Sequence, residues 1–403
     1  MGESPTPELA TNRIGNGQSW SSSATREIRS PANVERIVGH VEEANEAALQ
    51  QALLVGTEAA VPWAATSATE RAASLERAAD LIEAERATLM ALLAQEGGKT
   101  MPDGLAEVRE AADYCRYYAA SARRDFANPQ TLTGPTGELN RMALHGRGLF
   151  AAISPWNFPL AIFVGQIAAA LAAGNAVIAK PARQTPLVGF HAVSLLHRAG
   201  IPAAVLQFLP GSGSILGTQL VGDARINGVV FTGSIDTAQT INRLLAARPG
   251  AIVPFIAETG GQNAMIVDSS ALPEQAVRDI LQSAFNSAGQ RCSALRVLYV
   301  QEEIADRLLN LLRGAMEELV IGDPLNLATD VGPVIDAAAQ IALQGHIDKL
   351  RRLAKPVQEL HLPSDTERGS FVAPCVFEIP RLDFLQHEVF GPVLHVIRYQ
   401  RQA

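Results

Sequence analysis

Cysteine is scarce in this sequence, and its three copies, Cys115, Cys292 and Cys375, stand far apart. An odd, scattered set excludes a disulfide framework and a cysteine-built zinc cluster, so no metal site is expected; it fits a reducing, cytoplasmic setting. Runs of Lys and Arg are lacking, and the formal net charge is -8. That balance offers no electrostatic footprint to nucleic acid or to an anionic membrane, and leaves a small neutral or acidic ligand open. Long apolar runs are missing too: the stretch from Leu160 to Ala173 is broken by Gly165 and Gln166 and is too short to span a bilayer. What remains is 403 residues with 47% hydrophobic and 18% charged side chains, a folded globular composition with more chain than one ordinary core absorbs. Two domains are expected. Residues 1–30, rich in Gly, Ser, Thr and Pro without an apolar signal core, read as a flexible leader.

Helical periodicity dominates the next stretch. Apolar spacing predicts a first helix over Glu42 to Ala60 and a second from Ser67 to Gly97-Gly98, opened by the capping box Ser67-Ala68-Thr69-Glu70. A third runs from Gly104 to Arg123. Residues 128–148, punctuated by Asn128-Pro129, Gly134-Pro135 and Gly137, read as a hairpin arm that either pairs with another subunit or lies unpartnered on the surface. From Gly148 the texture changes to alternation. Strands are predicted at Leu149–Ile153, Ala176–Ala179, Val205–Leu209, Gly228–Thr232 and Ile252–Ala257, with helices between them. Such units make a parallel sheet covered on both faces, which binds ligands beyond the carboxyl ends of its strands. A dinucleotide-binding domain over 31–258 follows. A second alternating block begins at Ala264-Met265-Ile266-Val267, so 259–403 reads as a second α/β domain.

Several chemistry-bearing stretches fall at predicted strand ends. Asn157, between Pro155 and Pro159, offers an amide to a developing oxyanion; a rigid turn with an aromatic plug explains the same residues. Lys180 places a cation at the ligand edge, as does any solvated lysine. Gly211, Gly213 and Gly217 lie in a loop that enters a helix as a phosphate cradle would, without the G-x-G-x-x-G fingerprint. Phe231-Thr232-Gly233-Ser234 joins strand to helix, and helix capping alone accounts for Ser234. Glu258 stands before Gly260-Gly261, where water can reach a carboxylate; capping a turn is the more ordinary role for a glutamate there. Cys292, in Gly289-Gln290-Arg291-Cys292-Ser293 between a predicted helix over Pro273 to Asn286 and a β-branched run from Val297, sits beside small residues that leave a thiol reachable as a nucleophile; a small buried hydrophobe is the ordinary role of a single cysteine.

Taken together, Pro155-Trp156-Asn157-Phe158-Pro159, Lys180-Pro181, Phe231-Thr232-Gly233-Ser234, Glu258-Thr259-Gly260-Gly261, Gly289-Gln290-Arg291-Cys292 and Glu388-Val389-Phe390-Gly391-Pro392 resemble the aldehyde dehydrogenase superfamily. Within it, Tyr117 to Arg123, Ala257 to Ala264 and Cys292 to Val297 look like the L-glutamate γ-semialdehyde (1-pyrroline-5-carboxylate) dehydrogenase domain of bifunctional proline utilisation A. The resemblance implies a Rossmann-type parallel-sheet domain plus a catalytic α/β domain, incomplete at its C-terminal end. It makes Cys292 the nucleophile, Asn157 the oxyanion donor and Glu258 the base. Lys180, Gly213, Gly217, Phe231, Thr232, Gly233, Ser234, Glu388 and Phe390 would hold the cofactor NAD, and Ser293 with Arg291 the substrate. Implied partners are the small aldehyde, further copies of the chain in a homo-oligomer, and a proline dehydrogenase domain or protein. Succinate semialdehyde as substrate, or an inactive domain kept for assembly, are the alternatives. Two departures stand out. Arg183 replaces the acidic residue usual after Lys-Pro-Ala, which opens the way to NADP. The chain also stops at Ala403, where the family continues into a substrate loop and a strand that pairs with the hairpin arm, so an unpaired edge and poor solubility are expected.

Overall fold

The computed structural model describes residues 8–11, 13–14, 18–19 and 25–400. They form two compact units. Unit 1 comprises the residues up to Ile28 with Ile37–Glu96 and Leu105–Thr259; unit 2 comprises Arg29–Arg36, Gly97–Gly104 and the chain from Gly260. Two short segments read from the sequence as part of the first domain are therefore built into the second. Backbone hydrogen bonds draw the first across, from Val34 N to Arg368 O at 2.9 Å and from Ser370 N to Pro31 O at 2.8 Å. The expected leader is corrected in part: Glu8–Ala10 and Thr25–Ser30 flank Asn33–Glu42 in a three-stranded sheet, because Ala10, Ile28 and Val41 find burial. Residues 1–7, 12, 15–17 and 20–24 of that segment lie outside the described residues.

Unit 1 holds a sheet whose five parallel strands lie in the order Phe255–Thr259, Ile226–Gly233, Leu149–Ile153, Ala176–Lys180, Leu206–Phe208, followed by short antiparallel pieces at Arg13–Ile14 and Gln18–Ser19. The strand that comes first along the chain is central, and later strands add on either side of it, so the switch point falls beside Leu149–Ile153. The central strands are buried on both faces, as Val177, Ile178, Leu149 and Ala151 show. Helices Ala161–Ala172 and Pro186–Arg198 start without side-chain caps of their own. Buried carboxylates from elsewhere in the unit serve instead: Glu107 accepts from Leu160 N and Ala161 N at 2.9 and 3.1 Å, and Glu96 from Leu187 N and Val188 N at 2.7 and 2.9 Å.

The first helix occupies Glu46–Ala65, entered through Asn45, whose side chain accepts from Ala48 N at 2.9 Å. The capping box at Ser67 and Glu70 is formed, but the long second helix divides at Glu85 into Ala68–Ala84 and Arg86–Gly97. Tertiary pairing explains the break, since the Glu85 carboxylate binds His191 at 2.7 Å and also meets Arg198. Helix Met101–Asp125 and the hairpin Gln130–Leu132 with Asn140–Met142 follow, the hairpin exposing Leu132, Leu139 and Met142. Among the described residues no helix is long and apolar enough to cross a membrane.

Unit 2 carries a five-stranded sheet in the order Ala264–Val267, Val297–Gln301, Val393–Tyr399, Cys375–Glu378, Lys355–Glu359, parallel except at the last pair. Helices Pro273–Phe285, Glu302–Glu317 and Ala337–Leu353 accompany it.

Candidate active site

The candidate positions of unit 1 line one edge of its sheet. Ser154 to Pro159 leave the strand Leu149–Ile153, Lys180 closes Ala176–Lys180, Gly233 and Ser234 close Ile226–Gly233, and Glu258 lies near the end of Phe255–Thr259. Parallel strands put all these ends on the same side. Gln166, on helix Ala161–Ala172, binds two of them together: it accepts from Ser154 Oγ at 2.8 Å and donates to Thr232 Oγ1 at 3.0 Å. Asn157 is buried in the turn beside it. Ser234 caps its helix, accepting from Thr237 N at 3.3 Å. The loop at Gly213 begins with a π-helical turn, Gly213–Gly217, before the short helix Thr218–Gly222, where the sequence predicts one continuous helix. Burial pulls the Lys180 amine down to about 8 against the opposing pull of Glu43, and its Nζ donates to the Pro181 carbonyl at 3.3 Å. Glu258 is exposed on an edge strand, so water reaches it.

Unit 2 holds the thiol. Helix Pro273–Phe285 ends one residue earlier than predicted and runs into a turn in which Ser287 and Ala288 take φ of 54° and 52°, followed by Gly289 at 65°. Among the described residues, those two are the only non-glycines with positive φ. Each costs on the order of 1 kcal/mol, so the turn persists only because its surroundings enforce it. Lys99 donates to Ser287 Oγ at 3.3 Å, and Asp103 accepts from Ser287 N at 3.1 Å. At Gly289 a Cβ would fall 2.2 Å from the Gly391 carbonyl oxygen, which leaves glycine as the only residue that fits.

Arg296 locks the loop from below. Fully buried, it donates to the carbonyls of Gly289 at 2.6 Å and Arg291 at 2.8 Å, and reaches Glu388 Oε1 at 3.2 Å. Asn263 adds a clamp from the side, donating to the Cys292 carbonyl at 2.6 Å and the Ala294 carbonyl at 2.9 Å. Burial pushes the Glu388 carboxyl up, with Arg296 opposing, and its oxygen lies so near Gly260 that a Cβ there would come within 1.7 Å. Phe390 lies 5.1 Å below the Arg296 guanidinium. Arg291 and Ser293 share an open cavity of about 330 Å³ with Met265, Asp279, Gln282, Ser283 and Ala294. Of the three thiols only Cys292 is partly exposed. Cys115 and Cys375 are buried, and that burial pushes both up, Cys115 to about 12.

A profile of the aldehyde dehydrogenase family matches residues 20–403. The chain belongs to the aldehyde dehydrogenase family. Its two parallel sheets with their helices are the α/β fold of that family. Bifunctional protein PutA of Klebsiella aerogenes is 52% identical over 382 residues, which make up 93% of this chain and 28% of that protein. The chain thus spans little more than a quarter of the bifunctional relatives it matches. The 1-pyrroline-5-carboxylate dehydrogenase of Geobacillus sp. (strain WCH70) is 35% identical over 369 residues, covering 90% of this chain and 71% of its own length. Among solved structures, 1-pyrroline-5-carboxylate dehydrogenase from Thermus with bound NAD superposes with a TM-score of 0.93 at 32% identity, over 98% of this chain and 77% of that one.

Within this aldehyde dehydrogenase family member, sequence reasoning passed over Arg296, Asn263 and Gln166 as supports. Arg296 and Asn263 lie inside the two runs that narrowed the resemblance, so their presence was visible, but nothing local says which carbonyls they hold. The expected substrate pair, Arg291 and Ser293, shares one cavity. The expected cofactor positions divide between the strand ends of unit 1 and the Glu388 to Phe390 turn of unit 2.

Proposed function

We propose that this chain catalyses NAD-dependent oxidation of L-glutamate γ-semialdehyde, the open form of 1-pyrroline-5-carboxylate, to L-glutamate. The observation that carries the reading is the single reachable thiol, Cys292, on an enforced turn, while the other two are buried. Relatives named 1-pyrroline-5-carboxylate dehydrogenase support the substrate. The donor set suits a dinucleotide: a lysine at a parallel strand end for ribose hydroxyls, and at Ser234 the start of a helix whose amides favour phosphate. Bound there, the nicotinamide supplies the hydride acceptor.

In this reading the Cys292 thiolate adds to the aldehyde carbon, and the oxygen takes the negative charge. Asn157 and the Cys292 amide donate to that oxygen. Collapse of the hemithioacetal expels the hydride and leaves a thioester on Cys292. Glu258 takes a proton from water as the water attacks the thioester, and the thiolate departs from glutamate. Lys180 holds the adenosine ribose, Ser234 the pyrophosphate and Glu388 the nicotinamide ribose. Gly213, Gly217, Phe231, Thr232, Gly233 and Phe390 shape the surface around them. Ser293 and Arg291 hold the substrate carboxylate. A proline-oxidising partner or domain supplies the substrate, consistent with the bifunctional relatives, and the exposed hairpin serves subunit pairing.

Purified chain given 1-pyrroline-5-carboxylate and NAD is expected to produce reduced cofactor, read by absorbance, and Cys292→Ala to abolish it while nucleotide binding persists. Faster turnover of succinate semialdehyde would reassign the substrate. Nucleotide binding without turnover of any aldehyde would make the chain an inactive relative.

A further inference from the structure

Behind the turn that carries Cys292 lies a pair of histidines with no part in the proposed reaction. His395, fully buried on the strand Val393–Tyr399, donates to the Arg296 carbonyl twice, from its backbone N at 3.1 Å and from its ring Nδ1 at 3.0 Å. Its Nε2 lies 2.9 Å from Nε2 of His346, on the helix Ala337–Leu353. A carbonyl oxygen only accepts, so the proton of the neutral His395 ring sits on Nδ1, its Nε2 presents a lone pair, and His346 Nε2 is the donor between them. The same helix grips the turn at two further points. Gln290 Oε1 accepts at 2.9 Å from Ile335 N, one residue before the Asp336 cap that opens the helix. Leu343, three residues before His346, packs so closely on Gly391 that a Cβ there would come 2.4 Å from its Cδ1, and Gly391 in turn sets its carbonyl oxygen against Gly289.

Few charged or titratable groups surround the pair. Burial pulls His395 down to about 4 and His346 below its ordinary value, and the cations Arg296 near the first and Lys349 near the second oppose a proton further. Glu388 is the carboxylate at hand, and it is held by Arg296. Phe377 stands opposite His395 on the neighbouring strand, and two residues before it Cys375 is kept a neutral thiol by burial. The buried side chains of the helices Pro273–Phe285 and Glu302–Glu317 are apolar. One proton added to His346 Nδ1 leaves the pair intact. A proton on His395 Nε2 instead sets two N–H groups face to face, and the rings must part. Parting withdraws the ring donor from the Arg296 carbonyl and loosens the residue whose side chain holds the Gly289 and Arg291 carbonyls.

We infer that His346 and His395 are positioning residues for Cys292: joined through their Nε2 atoms they hold Arg296, and with it the turn, in the shape that presents the thiol, and they release it when His395 takes a proton. The inference rests on the reading of Cys292 as the nucleophile, but labelling reports on the turn whether or not any aldehyde is turned over. The measurement is the rate at which a dipyridyl disulfide, a reagent active towards thiols in acid, labels Cys292 in the full chain over the pH range in which the two buried thiols stay silent. Variant and wild type are compared at the same pH, so that thiol ionisation cancels. His346→Leu leaves His395 Nε2 without its donor and should speed labelling about threefold or more near neutral pH, whereas His346→Gln, whose amide places an N–H where Nε2–H stood, should return it to within about 1.5-fold of wild type. His395→Asn keeps a donor toward the Arg296 carbonyl but does not titrate. It should match wild type above about pH 6.5 and label about threefold more slowly than wild type as pH falls toward 4, because only the wild-type turn loosens. Equal labelling of His346→Leu and His346→Gln, or a ratio of wild type to His395→Asn that stays constant across the range, overturns the inference. Absence of aldehyde turnover with these labelling differences in place overturns the dehydrogenase reading and leaves the role of the pair in holding the turn standing.

Discussion

The candidate ligand edge of unit 1 and the thiol turn of unit 2 place their candidate groups by opposite means. In unit 1, Lys180, Gly233 and Ser234 arrive where they do because parallel strands end there, and among the described residues no non-glycine in that unit has positive φ. Topology delivers the groups at no conformational cost. The turn before Cys292 instead holds three successive residues in the left-handed region. Its shape is imposed by side chains outside the turn: Arg296 a few residues on, and Asn263, Lys99 and Asp103 from distant segments. Strand ends need only local design, whereas a left-handed turn is kept in place by contacts around it.

Arg296→Met breaks the comparison most severely. It strands the Gly289 and Arg291 carbonyls and leaves Glu388 without its cation, which should lower stability by about 3–5 kcal/mol in urea unfolding. Alkylation reads the turn separately: Cys115 and Cys375 are buried, so the native labelling rate reports on Cys292, and it should change in this variant and stay constant in unit 1 variants. Gly289→Ala forces a Cβ against the Gly391 oxygen and should cost about 3 kcal/mol, seen as a lower Tm together with altered alkylation.

Acid should separate the units less sharply. His395 is fully buried under the Arg296 carbonyl and paired with His346 Nε2 at 2.9 Å, and burial pulls it down to about 4; His346 is lowered by burial too. The unfolded chain binds the proton near the ordinary histidine value and the folded chain does not. Stability from this group is therefore present above about pH 6.5 and lost as pH falls toward 4. Between pH 7.5 and 5 the His395 share of the loss is about 2 kcal/mol, and His395→Gln should flatten the urea-midpoint profile over that range. Smallest is Ser234→Ala in unit 1, expected to cost about 1 kcal/mol as a lost cap and to leave Cys292 labelling untouched. A labelling change in that variant would erase the distinction.

Much of this was legible beforehand for a physical reason. The strand Leu149–Ile153, the capping box at Ser67 and the Ser234 cap depend on neighbours within a few residues, and periodicity and capping chemistry record such dependence. The long helix through Glu85 was misread because its break answers to His191 and Arg198, about a hundred residues away. The assignment of residues 29–36 and 97–104 to unit 2 likewise rests on distant partners. Within each unit, the candidate groups were found by residue type and strand-end position, and their supports were not.

The amino-acid order by itself determined the α/β class, the alternation of elements and the identity of the reachable thiol's segment, since each is written in spacing along the chain. Only the tertiary structure decided which carbonyls Arg296 holds, that Glu107 and Glu96 cap helices they do not belong to, and that Glu43 joins Arg26 to Arg183. Hydrogen bonds and ion pairs depend on distance in space, and no period in a sequence encodes which remote partner comes within 3 Å.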